Sequence, residues 1–148
     1  MGTPLRRRFY LGLTLLLTGC SSGTYVVPLS PAEKSLGNIA LAYADFHEKH
    51  GRGPKDAEEL KPFLSTFGKP EELLVSPNDG QPFVIVWNAD PTRGRPLMPQ
   101  NLWPILAYEK QGKGGKRAVA DLRGATKLLG ADDFAQLTFA GKHKPSTN

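Results

Sequence analysis

Residues 30–50 read SPAEKSLGNIALAYADFHEKH, and this stretch decides the fold. Ser30 can cap a helix, Pro31 suits the first helical position, and Glu33 completes a capping box three residues after the serine. Leu36, Ile39, Ala40, Tyr43 and Phe46 then recur at helical spacing, so one face of the segment is apolar. Gly51 supplies a C-terminal stop. The spacing predicts a helix over 31–50 that must bury its stripe against something else in the chain.

The downstream sequence provides the partner. Gly51-Arg52-Gly53-Pro54 reads as a turn, and Asp56 with Glu59 suggests a second capping box opening a short helix through Leu60 and Leu64. Pro62 limits its length. Residues 70–74 suit one further helical turn, and 76–82 (SPNDGQP) are dense in turn formers. They lead into a β-branched and aromatic run over 83–87, which predicts a buried strand. Residues 90–104 carry four prolines and read as a long loop. Next come a second strand over 105–109, a hairpin loop over 110–115, a third strand over 117–122 and a fourth over 124–129. A closing helical turn over 132–137 has Asp132 and Asp133 near its N-terminal end, where the helix dipole favours acids. One helix ahead of a small antiparallel sheet is an α+β plan.

Upstream, residues 1–20 read MGTPLRRRFYLGLTLLLTGC. Arg6, Arg7 and Arg8 precede an apolar run over 9–17, too short for a bilayer of about 30 Å. That pattern matches a signal peptide and stands outside the fold. Leu17-Thr18-Gly19-Cys20 resembles the bacterial lipobox. The resemblance implies cleavage between Gly19 and Cys20, a diacylglyceryl thioether on Cys20, and acylation of the new N-terminus. Several acyl chains anchor stably where one does not. Ser21, rather than Asp, follows the cysteine, which favours the outer membrane in a Gram-negative envelope. The expected organisation is a signal peptide over 1–19, a lipidated tether over 20–30, a domain over 31–141 and a polar tail over 142–148.

Composition agrees. The 148 residues hold 19 Lys+Arg against 14 Asp+Glu, a formal charge of +5. Discarding residues 1–19 removes three arginines and no acid, so +5 falls to +2. Nucleic acid is therefore not an expected partner. The single Cys excludes an intrachain disulfide and a multi-cysteine zinc site.

In the expected domain, 36–43 followed by Phe46-His47 and Gly51-Arg52-Gly53-Pro54 resembles a stretch of pilin-like proteins. Residues 74–83 are similar to the entry of those proteins into their sheet. Ala107-Tyr108-Glu109-Lys110 with 114–119 resembles the hairpin of the large pilin-like family abundant in planctomycetes, whose relatives include the major pseudopilin of type II secretion. The resemblance spans about 33–139 and implies a helix packed on a small antiparallel sheet. Two departures stand out. Arg123-Gly124-Ala125-Thr126 occupies the place of that family's Asp-Gly-His-Val, and a lipobox with a tether replaces the pseudopilins' long apolar half-helix. A calcium site found in some pseudopilins does not transfer to Asp121, Asp132 and Asp133.

Several residues invite chemistry. His47 and His50 lie three apart near the helix end, with Asp45, Glu48 or His143 as a third metal ligand, but two helical histidines are too few. Residues 112–117 (GKGGKR) lack phosphate-loop spacing. The carboxylate pairs Glu58-Glu59, Glu71-Glu72 and Asp132-Asp133 are adjacent in sequence, so on a helix they diverge by about 100°. Trp87, Trp103 and Tyr108 could line a groove or pack the core. The expectation is a non-enzymatic, cofactor-free envelope domain, held to a membrane through Cys20 and acting on envelope proteins. The alternative is a module that binds a small ligand or cell-wall glycan through residues 90–104.

Overall fold

The computed structural model describes residues 27–92 and 103–145. Helix α1 spans Pro31–His50. Its start is the closed capping box: Glu33 N–H donates to Ser30 Oγ at 3.3 Å, and Ser30 N–H donates to Glu33 Oε2 at 2.9 Å. Its end is Gly51, left-handed at φ 68°, whose N–H donates to the His47 carbonyl. Ala32, Leu36, Ile39, Ala40, Ala42, Tyr43 and Phe46 are buried along one face.

Helix α2 covers Ala57–Leu64, with Asp56 accepting from Glu59 N–H. The reciprocal half of the expected box is absent. The Glu59 carboxylate turns away to Lys55 N–H and to the Arg52 guanidinium at 2.8 and 2.9 Å. The Arg52 fork, then the Lys55 N–H, hold the Glu59 carboxyl down at about 2. Pro62 sits inside α2, which ends two residues later. A single turn, α3, occupies Pro70–Leu73.

Among the described residues the strands β1 (Val84–Ile85), β2 (Ile105–Tyr108), β3 (Lys116–Asp121) and β4 (Thr126–Gly130) form one antiparallel sheet in the order β1-β2-β3-β4. Helix α4, Ala131–Ala135, is the last regular element among the described residues. The strand expected over 83–87 is correct in burial but too long. Val84 and Ile85 pair in the ladder, Val86 N–H adds one bond to the Leu106 carbonyl, and the chain then turns at Trp87 and Asn88, the latter left-handed at φ 55°. The fourth strand starts two residues later than expected, since Gly124 and Ala125 turn back onto Asp121 by backbone hydrogen bonds.

Side-chain alternation divides the sheet. Ala118 and Ala120 face α1 and join the main core with Leu36, Ile39, Ala40 and Tyr43. Val119 points to the other face, where it meets Ile105, Tyr108, Phe134 and Phe139. In β2 the register shifts between Ile105 and Ala107. That irregularity lets the consecutive residues Leu106 and Ala107 both enter the α1 core while Ile105 and Tyr108 serve the opposite face.

Candidate functional site

The opposite face is only partly covered. Phe134 from α4 and Phe139 pack edge-on against Tyr108, with centroids 5.1 and 5.3 Å away. Beside this cluster lies a recess of about 200 Å³. Ile105, Val119 and Leu129 give it an apolar floor, and Trp103 and Leu137 form walls. Asp121, Lys127 and Asp133 supply its charge. The register explains the convergence: Val119 pairs with Lys127 and Arg117 with Leu129, so these odd-numbered residues share one side of the ladder.

Asp121 is held rigidly. Arg123 N–H and Ala125 N–H donate to its Oδ1 at 2.8 and 3.1 Å, and the Arg123 side chain donates to Oδ2 at 2.8 Å. The same guanidinium lies 4.9 Å from the Trp103 ring, which fixes the indole by a cation–π contact. Lys127 and Asp133 are exposed at the rim. The recess therefore combines one aromatic wall, an anchored carboxylate and two exposed charges of opposite sign. It can take a small, partly apolar molecule or one side chain of a partner, since drug-sized ligands occupy about 300 Å³ or more.

A second polar centre is structural. Glu109 is fully buried, yet Ser76 Oγ donates to its carboxylate at 2.5 Å, Asn78 Nδ2 at 2.9 Å and Ala118 N–H at 2.7 Å. Nearby, Asp79 accepts from Gln111 N–H and Gly112 N–H at 3.0 and 2.8 Å and from Gln81 N–H at 2.9 Å. Burial pushes the Asp79 carboxyl up, but these N–H groups outweigh it and hold the carboxyl below its ordinary value. The two carboxylates lock the loop over 76–80 to the β2–β3 hairpin. Among the described residues every buried side-chain nitrogen and oxygen is hydrogen-bonded. Sequence reading took Ser76, Asn78 and Asp79 as turn formers and missed this pairing, because the acceptor Glu109 lies more than thirty residues away.

The other candidates are dispersed. His47 faces Asp90 at 3.4 Å, and His50 stacks on Phe46 with ring centroids 4.4 Å apart. His143 lies elsewhere, 2.9 Å from the Tyr108 hydroxyl. Among the described residues no three His, Cys, Asp or Glu side chains converge on a metal position. Asp132 and Asp133 lie in the first turn of α4, Glu58 and Glu59 in that of α2, and Glu71 and Glu72 in that of α3. Trp87, Trp103 and Tyr108 do not share a groove: Trp103 lines the recess and also packs on the α1 core, Tyr108 is buried beside the recess, and Trp87 packs on the α1 core. Gly19, Cys20 and most of the loop over 90–104 lie outside the described residues.

No family model, curated protein or solved structure matches the chain. Among the described residues no helix is long and apolar enough to cross a membrane.

Proposed function

We propose that the protein is a lipid-anchored, pilin-like domain of the bacterial envelope that acts by contact with other envelope proteins. The observation that carries this reading is the segment over 6–20. Three arginines, a short apolar run and Leu17-Thr18-Gly19-Cys20 end at the chain's single cysteine. The α1-on-sheet plan supports the pilin-like part. The domain faces the periplasm or the cell exterior, on the outer membrane where there is one.

Fractionation tests the anchor. Wild-type protein is expected in the membrane fraction and Cys20→Ala in the soluble one. A Cys20→Ala protein that stays with the membrane overturns the proposal. Crosslinking in intact cells then tests contact, with protein adducts expected and their complete absence counting against the role.

The Trp103 recess favours a second reading, a module for a small ligand or wall glycan fragment. Titrating wall fragments while following tryptophan emission tests it. A saturable change that Trp103→Ala abolishes supports this reading, and no change from any fragment removes it.

A further inference from the structure

The direction of α1 across the sheet determines which end of the domain meets the membrane. A Cβ placed on Gly37 would touch the Thr126 side chain at 3.9 Å, and one on Gly124 would touch Ala40 at 3.6 Å. Going up α1 from Gly37 to Ala40 therefore means going down the chain from Thr126 to Gly124. Helix α1 thus runs antiparallel to β4, and its N-terminus lies level with the Lys116–Gly130 pair, where the β2–β3 hairpin turns. A second observation agrees. Pro31 and Ser35 share an open recess with Val75, Ser76 and Pro77, and Ser76 and Asp79 are tied to the same hairpin through Glu109, Gln111 and Gly112.

That end carries Lys34, Lys110, Lys113 and Lys116, all exposed. Its acids keep their charge but are mostly tied into the fold, and among those described only Glu72 is offset by a lysine. Glu33 closes the α1 cap, Glu109 is buried, Asp79 accepts three backbone N–H groups, and Glu72 pairs with Lys69. Glu71, Asp132 and Asp133 are the exposed acids at its borders, set against the four lysines. The hairpin tip is open, since a Cβ on Gly114 or Gly115 would meet nothing within 4 Å.

We infer that this hairpin end is a docking surface for anionic lipid headgroups of the membrane that holds the anchor. The inference rests on the lipidated Cys20 proposed above. Pro31 lies eleven residues beyond Cys20, so the end that bears the lysines stays within about 40 Å of the bilayer even with the tether fully extended. Four lysines bind an anionic surface weakly on their own. A tether of this length raises the effective concentration to where weak attraction sets orientation.

The test uses full-length lipidated protein in vesicles of phosphatidylcholine, alone or with about 30% phosphatidylglycerol. Lipidation consumes the Cys20 thiol, so Gln111→Cys and, separately, Glu48→Cys each give one free thiol for a fluorophore. A quencher is carried on lipid headgroups. The Gln111 position is expected to be quenched several-fold more in the anionic vesicles, and the Glu48 position, at the far end of α1, equally in both. The excess should vanish at about 0.5 M salt. It should also vanish with Lys110→Gln, Lys113→Gln and Lys116→Gln together, since each lysine is worth roughly five-fold near such a surface. Equal quenching at the two positions, or an excess that survives the triple substitution, overturns the docking. So does a response to a soluble wall polyphosphate but not to anionic vesicles, which assigns the surface to the polymer. Flotation with phosphatidylcholine vesicles alone separates the two claims. Protein that fails to float loses the anchor, whereas protein that floats without charge-dependent quenching loses only the docking.

Discussion

On the α1 side of the sheet, Ala118 and Ala120 are small enough for the helix to close onto the strands, and Leu36, Ile39, Tyr43 and Leu106 fill the space to essentially zero exposure. On the other side, Val119 and Ile105 are covered by one short helix and a returning segment, and the Trp103 recess remains beside them. The same four strands thus present a sealed face and an open one. The sealed face is where stability resides, and the open face is where the chain can engage something else without unfolding. Substitutions on the two faces should therefore separate cleanly into effects on folding and effects on binding.

The largest loss is expected from Leu36→Ala. Removing a fully buried leucine opposite two alanines leaves a cavity that α1 cannot collapse, costing about 4 kcal/mol in denaturant unfolding. Leu129→Ala, half-buried on the open face, should cost about 1 kcal/mol. Equal losses would abolish the distinction between the faces.

Glu109→Gln comes next, at about 2 kcal/mol. An amide cannot accept from Ser76, Asn78 and Ala118 N–H together, so one buried donor is left unpaired. A loss confined to the hairpin would show as faster amide exchange at Gln111 and Gly112 ahead of the α1 core.

Tyr43→Phe should cost about 1–2 kcal/mol at neutral pH. The Tyr43 hydroxyl accepts from Ala89 N–H at 2.7 Å and can donate to the Val86 carbonyl at 3.1 Å, joining α1 to the turn after β1. It also has a pH signature. Burial pushes this phenol up to about 12, against a smaller lowering by the Ala89 N–H. The unfolded chain deprotonates near 10 while the folded one keeps its proton. Stability is therefore expected to fall from about pH 10 to 12, and the Tyr43→Phe protein should show a shallower decline. Identical slopes would refute the assignment.

Trp103→Ala should cost about 1 kcal/mol, because the indole is half-buried and packs against the edge of the α1 core as well as lining the recess. Its effect belongs to ligand or partner binding. A loss above about 3 kcal/mol would mean that its packing on the core outweighs its place in the recess wall.

Much of the sealed face was legible in the sequence, because helix signals are local. Ser30, Pro31 and Glu33 mark the start of α1 within a single turn, Gly51 marks its end, and the stripe between them repeats with the helical period. The strand expected over 117–122 was also found, one residue earlier as β3. The run over 83–87 misled, since a β-branched sequence reports burial but not how many residues find a partner strand. Of the open face, only Trp103 as a candidate groove residue was legible. The recess depends on which odd-numbered residues of β3 and β4 align, and on Arg123 reaching Trp103 across twenty residues. Gly53 shows the same limit. A turn was expected there, but only the packed structure shows that a Cβ would overlap the Ala89 carbonyl and the Tyr43 hydroxyl.

Everything proposed for the protein's place in the cell depends on the chemical state of Cys20. Intact-protein mass spectrometry of material purified from membranes, with sequencing of its N-terminal peptide, reads that state directly. The expected mature chain begins at Cys20 and carries a diacylglyceryl thioether and an N-terminal acyl group. A chain that retains residues 1–19, or one with a free thiol at Cys20, would contradict the account.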